Sequence, residues 1–194
     1  MSQNEPASAA PRSRRDWDGV AAVIAACVGL LALCVSGYTA WLTRQQVSAQ
    51  VWPHLITATT SSDKEHDFLV VNKGVGPAIV RSVQVFVDGQ PKRTWDDVFA
   101  AVDLKFDSTQ VNSSTVNQNV ISAGELLHAL TFTRGEDFLS FVAKSDRIKE
   151  RICYCSVLDE CWLIDKREKA PSRREQRVAE CVRDDAKELH DYSE

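Results

Sequence analysis

Asn72-Lys-Gly-Val-Gly-Pro-Ala-Ile-Val-Arg-Ser-Val-Gln-Val-Phe-Val-Asp-Gly89 decides the fold class. Its second half alternates, with Ile79, Val83, Val85 and Val87 read on one face, the pattern of a half-buried strand. Asp88-Gly89 follows directly and signals a hairpin, because the tight turn that matches strand twist needs positive φ. Lys73-Gly-Val-Gly-Pro77 ends the preceding apolar run with residues that tolerate positive φ or fix φ. Asn72, Gly74, Gly76 and Pro77 are therefore read as a structural turn between two strands.

Outward from this stretch, short β-rich runs lie at 54–60, 67–72, 79–87, 126–132, 152–157 and 161–164, separated by turn residues. The fourth places Leu126, Leu130 and Phe132 together, with His128 among them as a core or edge histidine. Six such runs predict an antiparallel β-sandwich over 51–166, long enough for one modest core. Thr94 caps an expected short helix through Val102. A second is expected over 136–144, with Phe138, Leu139, Phe141 and Val142 on one side. The polar stretch 107–120 reads as a long loop. In the tail, 167–194, Ser172-Arg-Arg-Glu175 is a capping box. With Val178, Cys181, Val182 and Leu189 as a narrow stripe, it predicts a charged, solvated C-terminal helix.

Upstream, residues 19–43 contain no Asp, Glu, Lys, Arg or His. As a helix they rise about 38 Å, against a hydrocarbon core of about 30 Å. Trp17, Tyr38 and Trp41 flank the run as interfacial residues. A transmembrane helix with its extension is expected over 17–50, after a disordered tail over 1–16. The apolar run is too long for a cleaved signal. Ile24-Ala25-Ala26-Cys27 resembles a lipoprotein cleavage box, but the residues after Cys27 remain apolar. Arg12, Arg14 and Arg15 precede the span and only Arg44 follows closely, which predicts a cytoplasmic N-terminus and an exported domain. Ala22, Ala25, Gly29, Ala32, Ser36, Thr39 and Thr43 form a seam of small residues at a 3.5-residue spacing, a packing face for a second copy of the helix.

The 194 residues carry a net charge of -4, with a pI near 5.6, and so lack the basic footprint of a nucleic-acid binder. Charge is uneven, since the last 30 residues hold 17 charged side chains. The pattern Gly74-x-Gly76 lacks the third glycine and the helix of a dinucleotide loop, and no Gly-Lys-Ser/Thr phosphate loop is present. Cys153, Cys155, Cys161 and Cys181 do not have the knuckle spacing of a zinc site, nor a Cys-x-x-Cys redox pair. Cys153 and Cys155 share a strand face. A disulfide from Cys155 to Cys161 fits a three-residue hairpin loop, whereas a two-residue loop would set Ser156 opposite Cys161. In an exported domain these cysteines are expected to pair, and in a cytoplasmic one to be small buried hydrophobes. No nucleophile motif and no paired histidines stand out. No enzyme activity, metal or cofactor is expected.

The pattern Asn72-Lys-Gly-Val-Gly-Pro-Ala78 resembles the Asn-x-Gly-x-Gly-Pro-Ala turn of bacterial immunoglobulin-like adhesion and transport-associated sandwich domains. Joined to Tyr38-Thr-Ala-Trp-Leu, Arg44-Gln-Gln-Val and Val51-Trp-Pro53, it is similar to a group of proteobacterial single-pass membrane proteins carrying such a domain. The resemblance covers about residues 17–90. It implies a fold and an address, and no activity; with the arginine bias, the expected address is the inner membrane with the C-terminal domain in the periplasm. The expectation is a membrane-anchored, non-enzymatic envelope interaction or sensing module. Its partners would be the lipid bilayer, itself through the helix, and other envelope proteins, but no nucleic acid. The alternatives are an accessory subunit or effector of a membrane complex, including phage defence, or a small thiol-based redox factor or hydrolase.

Overall fold

The computed structural model describes residues 14–105 and 109–181, with backbone alone at 14–16. The chain divides into two units, Met1–Val47 and Ser48–Glu194. The expected N-terminal tail, and the part of the expected C-terminal helix that carries Val182 and Leu189, lie outside the described residues.

Helix α1 runs over Arg14–Gln50, 37 residues. From Trp17 to Gln50 it is long and apolar enough to cross a membrane, and its most apolar window is not buried. Leu30, Leu31 and Leu33 are exposed, unlike the side chains of a soluble core helix. Thr39 and Thr43 satisfy their hydroxyls within the helix, donating to the carbonyls of Val35 and Thr39 at 2.8 and 2.9 Å. Trp52-Pro53 follows the helix end, since the residue before proline avoids helical backbone.

The second unit holds two antiparallel sheets. Its elements, in chain order, are β1 (Leu55–Ser61), β2 (Glu65–Asn72), β3 (Ala78–Val87), β4 (Gln90–Lys92), α2 (Trp95–Ala101), β5 (Val111–Ser113), β6 (Val120–Ile121), β7 (Leu126–Thr133), α3 (Phe138–Lys144), β8 (Ile148–Cys155), β9 (Cys161–Asp165) and β10 (Glu175–Val178). One sheet has the order β1-β2-β7-β5. The other has the order β10-β9-β8-β3-β4, with β6 also on β3. The β3–β4 hairpin turns at Asp88 (φ 51°) and Gly89 (φ 80°), the positive pair that a two-residue turn requires.

Side chains from both sheets meet in two clusters. One is aromatic: Phe99 of α2, Phe132 of β7 and Phe141 of α3 stack at 4.5–5.7 Å, over Val85, Val87 and Ile148 of the facing sheet. The other joins Leu55 and Val70 to Val80, Val83, Ile152, Tyr154 and Ile164, with Val116 and Ile121. Thr94 caps α2 by accepting from the Asp97 N–H at 3.2 Å.

Several expectations are corrected. Pairing of β3 with β8 shifts between Val80 and Ser82, a bulge at Arg81. Ala78 and Val80 therefore share the buried face with Val83, Val85 and Val87, and Ile79 points the other way. A second shift lies between Phe68 and Leu69 opposite β7. It separates Leu126, which is about half exposed, from buried Leu130 and Phe132, and it sets His128 on the outer face. On α3, Leu139 is 77% exposed, because it lies a third of a turn away from the stripe of Phe138, Phe141 and Val142. The stretch 107–120 is not simply a loop: β5 pairs with β7, and Val116 is buried. The capping box does not start a helix. Pro171–Arg173 is a single 3₁₀ turn, and Glu175–Val178 forms β10 against β9. There the sheet edge and the anchoring of Cys181 override a local helix signal.

Candidate functional site

The four cysteines of the second unit come together on the outer face of the β8–β9 pair. The two-residue period of β8 puts Cys153 and Cys155 on one face, opposite to buried Ile152 and Tyr154. Cys161 is the direct cross-strand partner of Cys155, with Cα atoms 4.0 Å apart. The loop between them is closed by Ser156, whose N–H donates to the Glu160 carbonyl at 2.8 Å. This leaves the three-residue loop Val157-Leu158-Asp159, with Asp159 at φ 57°. Cys155 is bonded to Cys161, and Cys153 to Cys181, which lies three residues beyond β10. The two cystines touch: Sγ of Cys155 is 3.6 Å from Sγ of Cys181. The sulfurs of Cys155, Cys161 and Cys181 all lie within 4.8 Å of one another. Cys153, Cys155 and Cys161 are buried and Cys181 is half-buried. Cys27 and Cys34 on α1 are free thiols.

The glycine turn is built around Asn72, which is fully buried. Its Oδ1 accepts from the N–H groups of His54 (3.2 Å) and Gly74 (3.0 Å), and its Nδ2 donates to the carbonyls of Gly76 (2.8 Å) and Ile121 (3.0 Å). A side-chain amide thus completes the backbone pairing where no ladder runs. Neither Gly74 nor Gly76 has positive φ. The expected reason for these glycines is therefore corrected to close backbone approach. A Cβ on Gly74 would meet His54 N at 2.4 Å, and one on Gly76 would collide with the backbone of Val51. Pro77 then leads into β3.

Between the two core clusters lies an apolar cavity of about 50 Å³. Phe68 and Val70 line it from one sheet, Val83, Val85 and Ile152 from the other, and Glu150 adds one carboxylate.

Three sets of titratable groups contain the domain's histidines among the described residues. Asp67 on β2 is buried and accepts from Thr131 Oγ1 at 2.6 Å, with His128 Nδ1 at 3.1 Å and Thr60 Oγ1 at 3.4 Å. Burial pushes its carboxyl up, but these hydrogen bonds outweigh burial and hold it below the usual carboxylate range. His128 is half exposed, so the pair resembles the acid–histidine half of a catalytic triad. Its hydroxyl neighbours are the two threonines that bond Asp67. Across the molecule, His54 Nδ1 lies 3.1 Å from Glu175 Oε1, which also accepts from the buried Tyr154 hydroxyl at 3.2 Å. Burial and then the Glu175 charge push Tyr154 well above its ordinary range.

His66 is the third set. It is buried between Phe68 and Phe141, at 5.5 and 5.6 Å, and among the described residues neither ring nitrogen has a hydrogen-bond partner. Burial lowers its pKa, against the opposing pull of the Asp67 and Asp146 charges. Unfolding restores the ordinary value of about 6.5. Stability is therefore full above that value and falls as pH drops below it toward the lowered folded pKa, because the unfolded chain takes up the proton first. Urea midpoints measured from about pH 8 to about pH 5 should fall for the wild type and stay flatter for His66→Phe. Parallel declines in the two proteins would remove His66 from this account.

Asp67 and His128 gave no sequence signal as a pair, because their contact depends on the β2–β7 register shift. The small residues Ala22, Ala25, Gly29, Ala32, Ser36, Thr39 and Thr43 all lie on α1, where an added Cβ at Gly29 would meet nothing within 4 Å. No protein-family model matches the chain, and neither does any curated protein or solved structure.

Proposed function

We propose that this chain is a single-pass inner-membrane protein. Its immunoglobulin-like β-sandwich lies in the periplasm and serves as a non-enzymatic interaction or sensing module. The observation that carries this reading is the pair of cystines in a domain that follows a helix fit to span a membrane. Disulfides persist in oxidising compartments, and the arginines before the span favour the same orientation.

An interaction role is supported by the edge of the four-stranded sheet. Among the described residues strand β1 pairs with β2 alone; the Tyr154 hydroxyl (3.3 Å) and Lys166 Nζ (3.0 Å) take the outward Leu55 N–H and Thr57 carbonyl, and residues 58–61 beyond them carry neither charge nor proline, the devices that usually block an edge. Such an edge accepts an extended peptide through backbone hydrogen bonds. Copies of the chain would meet through the small-residue face from Ala22 to Thr43, where close backbone approach favours packing in lipid. A thiol-based role is the second reading, favoured by the 3.6 Å contact between the cystines.

The test is an export-dependent phosphatase fused after Glu194, with a cytoplasm-only fluorescent reporter at the same position. Phosphatase activity without fluorescence is the expected result. Fluorescence without phosphatase activity would reverse the orientation.

A further inference from the structure

We propose that the four cysteines of the β8–β9 face bind one zinc ion as a tetrathiolate once a dithiol has reduced the two cystines. Zinc holds four thiolates tetrahedrally at about 2.3 Å, which places the sulfurs about 3.8 Å apart. The sulfurs of Cys155 and Cys181, which are not bonded to each other, already lie 3.6 Å apart, and Cys161 joins them within 4.8 Å. Cys153 lies two residues before Cys155 on the same strand face and is the bonded partner of Cys181, so its sulfur stands beside this group of three.

The backbone holds three of these cysteines without help from the sulfur bonds. Cys153 and Cys155 share a face of β8, Cys161 is set opposite Cys155 by the β8–β9 ladder, and β10 pairs with β9 just before Cys181. Reduction therefore leaves three thiols gathered on the β8–β9 ladder, and Cys181, released with the end of β10, closes the site when the metal binds. A loop knuckle needs Cys-x2–4-Cys, but a strand brings every second residue to one side, so Cys-x-Cys suits a site built across strands.

Each cystine takes two electrons and two protons from a dithiol, which leaves as its own cyclic disulfide. Binding of Zn²⁺ then releases four protons from the four thiols and leaves a centre of charge -2. Arg81 stands nearby, next to the residue that pairs with Cys153, with Nη2 3.5 Å from Asp159 of the β8–β9 loop. The inference goes beyond the proposed function and does not depend on it. The cystines are the form for an oxidising side of the membrane and the zinc site is the form for a reducing one.

The test uses the full chain in detergent micelles, with Cys27→Ser and Cys34→Ser to remove the helix thiols. The protein is reduced with dithiothreitol without oxygen, desalted and titrated with Co²⁺ as the optical probe. The expected result is one Co²⁺ per chain, with thiolate charge-transfer and tetrahedral d–d absorption, displaced by Zn²⁺. Zinc should also raise the melting temperature of the reduced protein. Cys153→Ser or Cys181→Ser should weaken Co²⁺ binding at least ~100-fold. The unreduced protein should give no such spectrum. Absence of a saturable one-to-one tetrahedral spectrum would overturn the proposal. So would the same affinity in either serine variant, or in urea-unfolded reduced chain, since flexible thiols would then suffice.

Discussion

Gly76→Ala lowers the stability of the two-sheet domain by about 3 kcal/mol or more, the upper range of overpacking costs. The new methyl would overlap the carbonyl and Cα of Val51, with contacts inside 2.7 Å to backbone atoms. A flexible side chain could swing aside, but this backbone is tied. The Trp52 carbonyl accepts from the N–H groups of Val75 (3.0 Å) and Gly76 (3.2 Å), and the His54 carbonyl accepts from Lys73 (2.7 Å). Making room separates two hydrogen-bonded segments and disturbs the buried Asn72 amide that joins them. At roughly 4 °C per kcal/mol, the melting temperature drops by about 12 °C. Gly89→Ala is the comparison. Gly89 has positive φ but open space around it, so only backbone strain of about 1 kcal/mol is added there. Thermal melts of the two variants decide the matter. A Gly76→Ala loss no larger than that of Gly89→Ala would show that the turn yields easily.

Removing the Cys153–Cys181 bond costs more than removing the Cys155–Cys161 bond. The first joins residues 28 apart and the second residues 6 apart. Loop-closure entropy gives about 3.5 kcal/mol for the longer loop and about 2 kcal/mol for the shorter. The structure adds a local reason. Among the described residues strand β10 pairs only with β9, and it has four residues, so Cys181 is the clamp at its far end. Cys155 and Cys161 are already held by the β8–β9 ladder. Paired serine variants are compared by urea denaturation and amide hydrogen exchange. Cys153→Ser/Cys181→Ser should lose protection over residues 175–178 while β8 and β9 keep theirs. Equal costs, or protection retained in β10, would contradict this.

The sequence patterns that proved legible were local and periodic. The apolar window of α1, the Asp88-Gly89 turn and the Thr94 cap each act over a few residues, and each sits where its chemistry predicts. What escaped depended on partners far along the chain. Ile79 fits the alternation of β3 in isolation, and only pairing with β8 reveals the bulge at Arg81. Gly74 and Gly76 look like positive-φ glycines because nothing near them in sequence shows that residues 51–54 press against their backbone. Ser172-Arg-Arg-Glu175 has the composition of a helix start. It lost to a ladder with β9 and a bond to Cys153, neither of which leaves a local mark. The Asp67–His128 pair was hidden for the same reason, since a one-residue slip exchanges the faces of a strand.

The void between the two core clusters gives this domain a mechanical property of its own. This space of about 50 Å³ is lost on unfolding and adds to the negative volume change, about -20 to -100 mL/mol in proteins generally, by which pressure destabilises a fold. Compression therefore favours opening the seam between the two clusters, each of which spans both sheets, and so separates the phenylalanine stack from the aliphatic half around Tyr154. Under hydrostatic load the domain would yield first along this plane, as two half-cores.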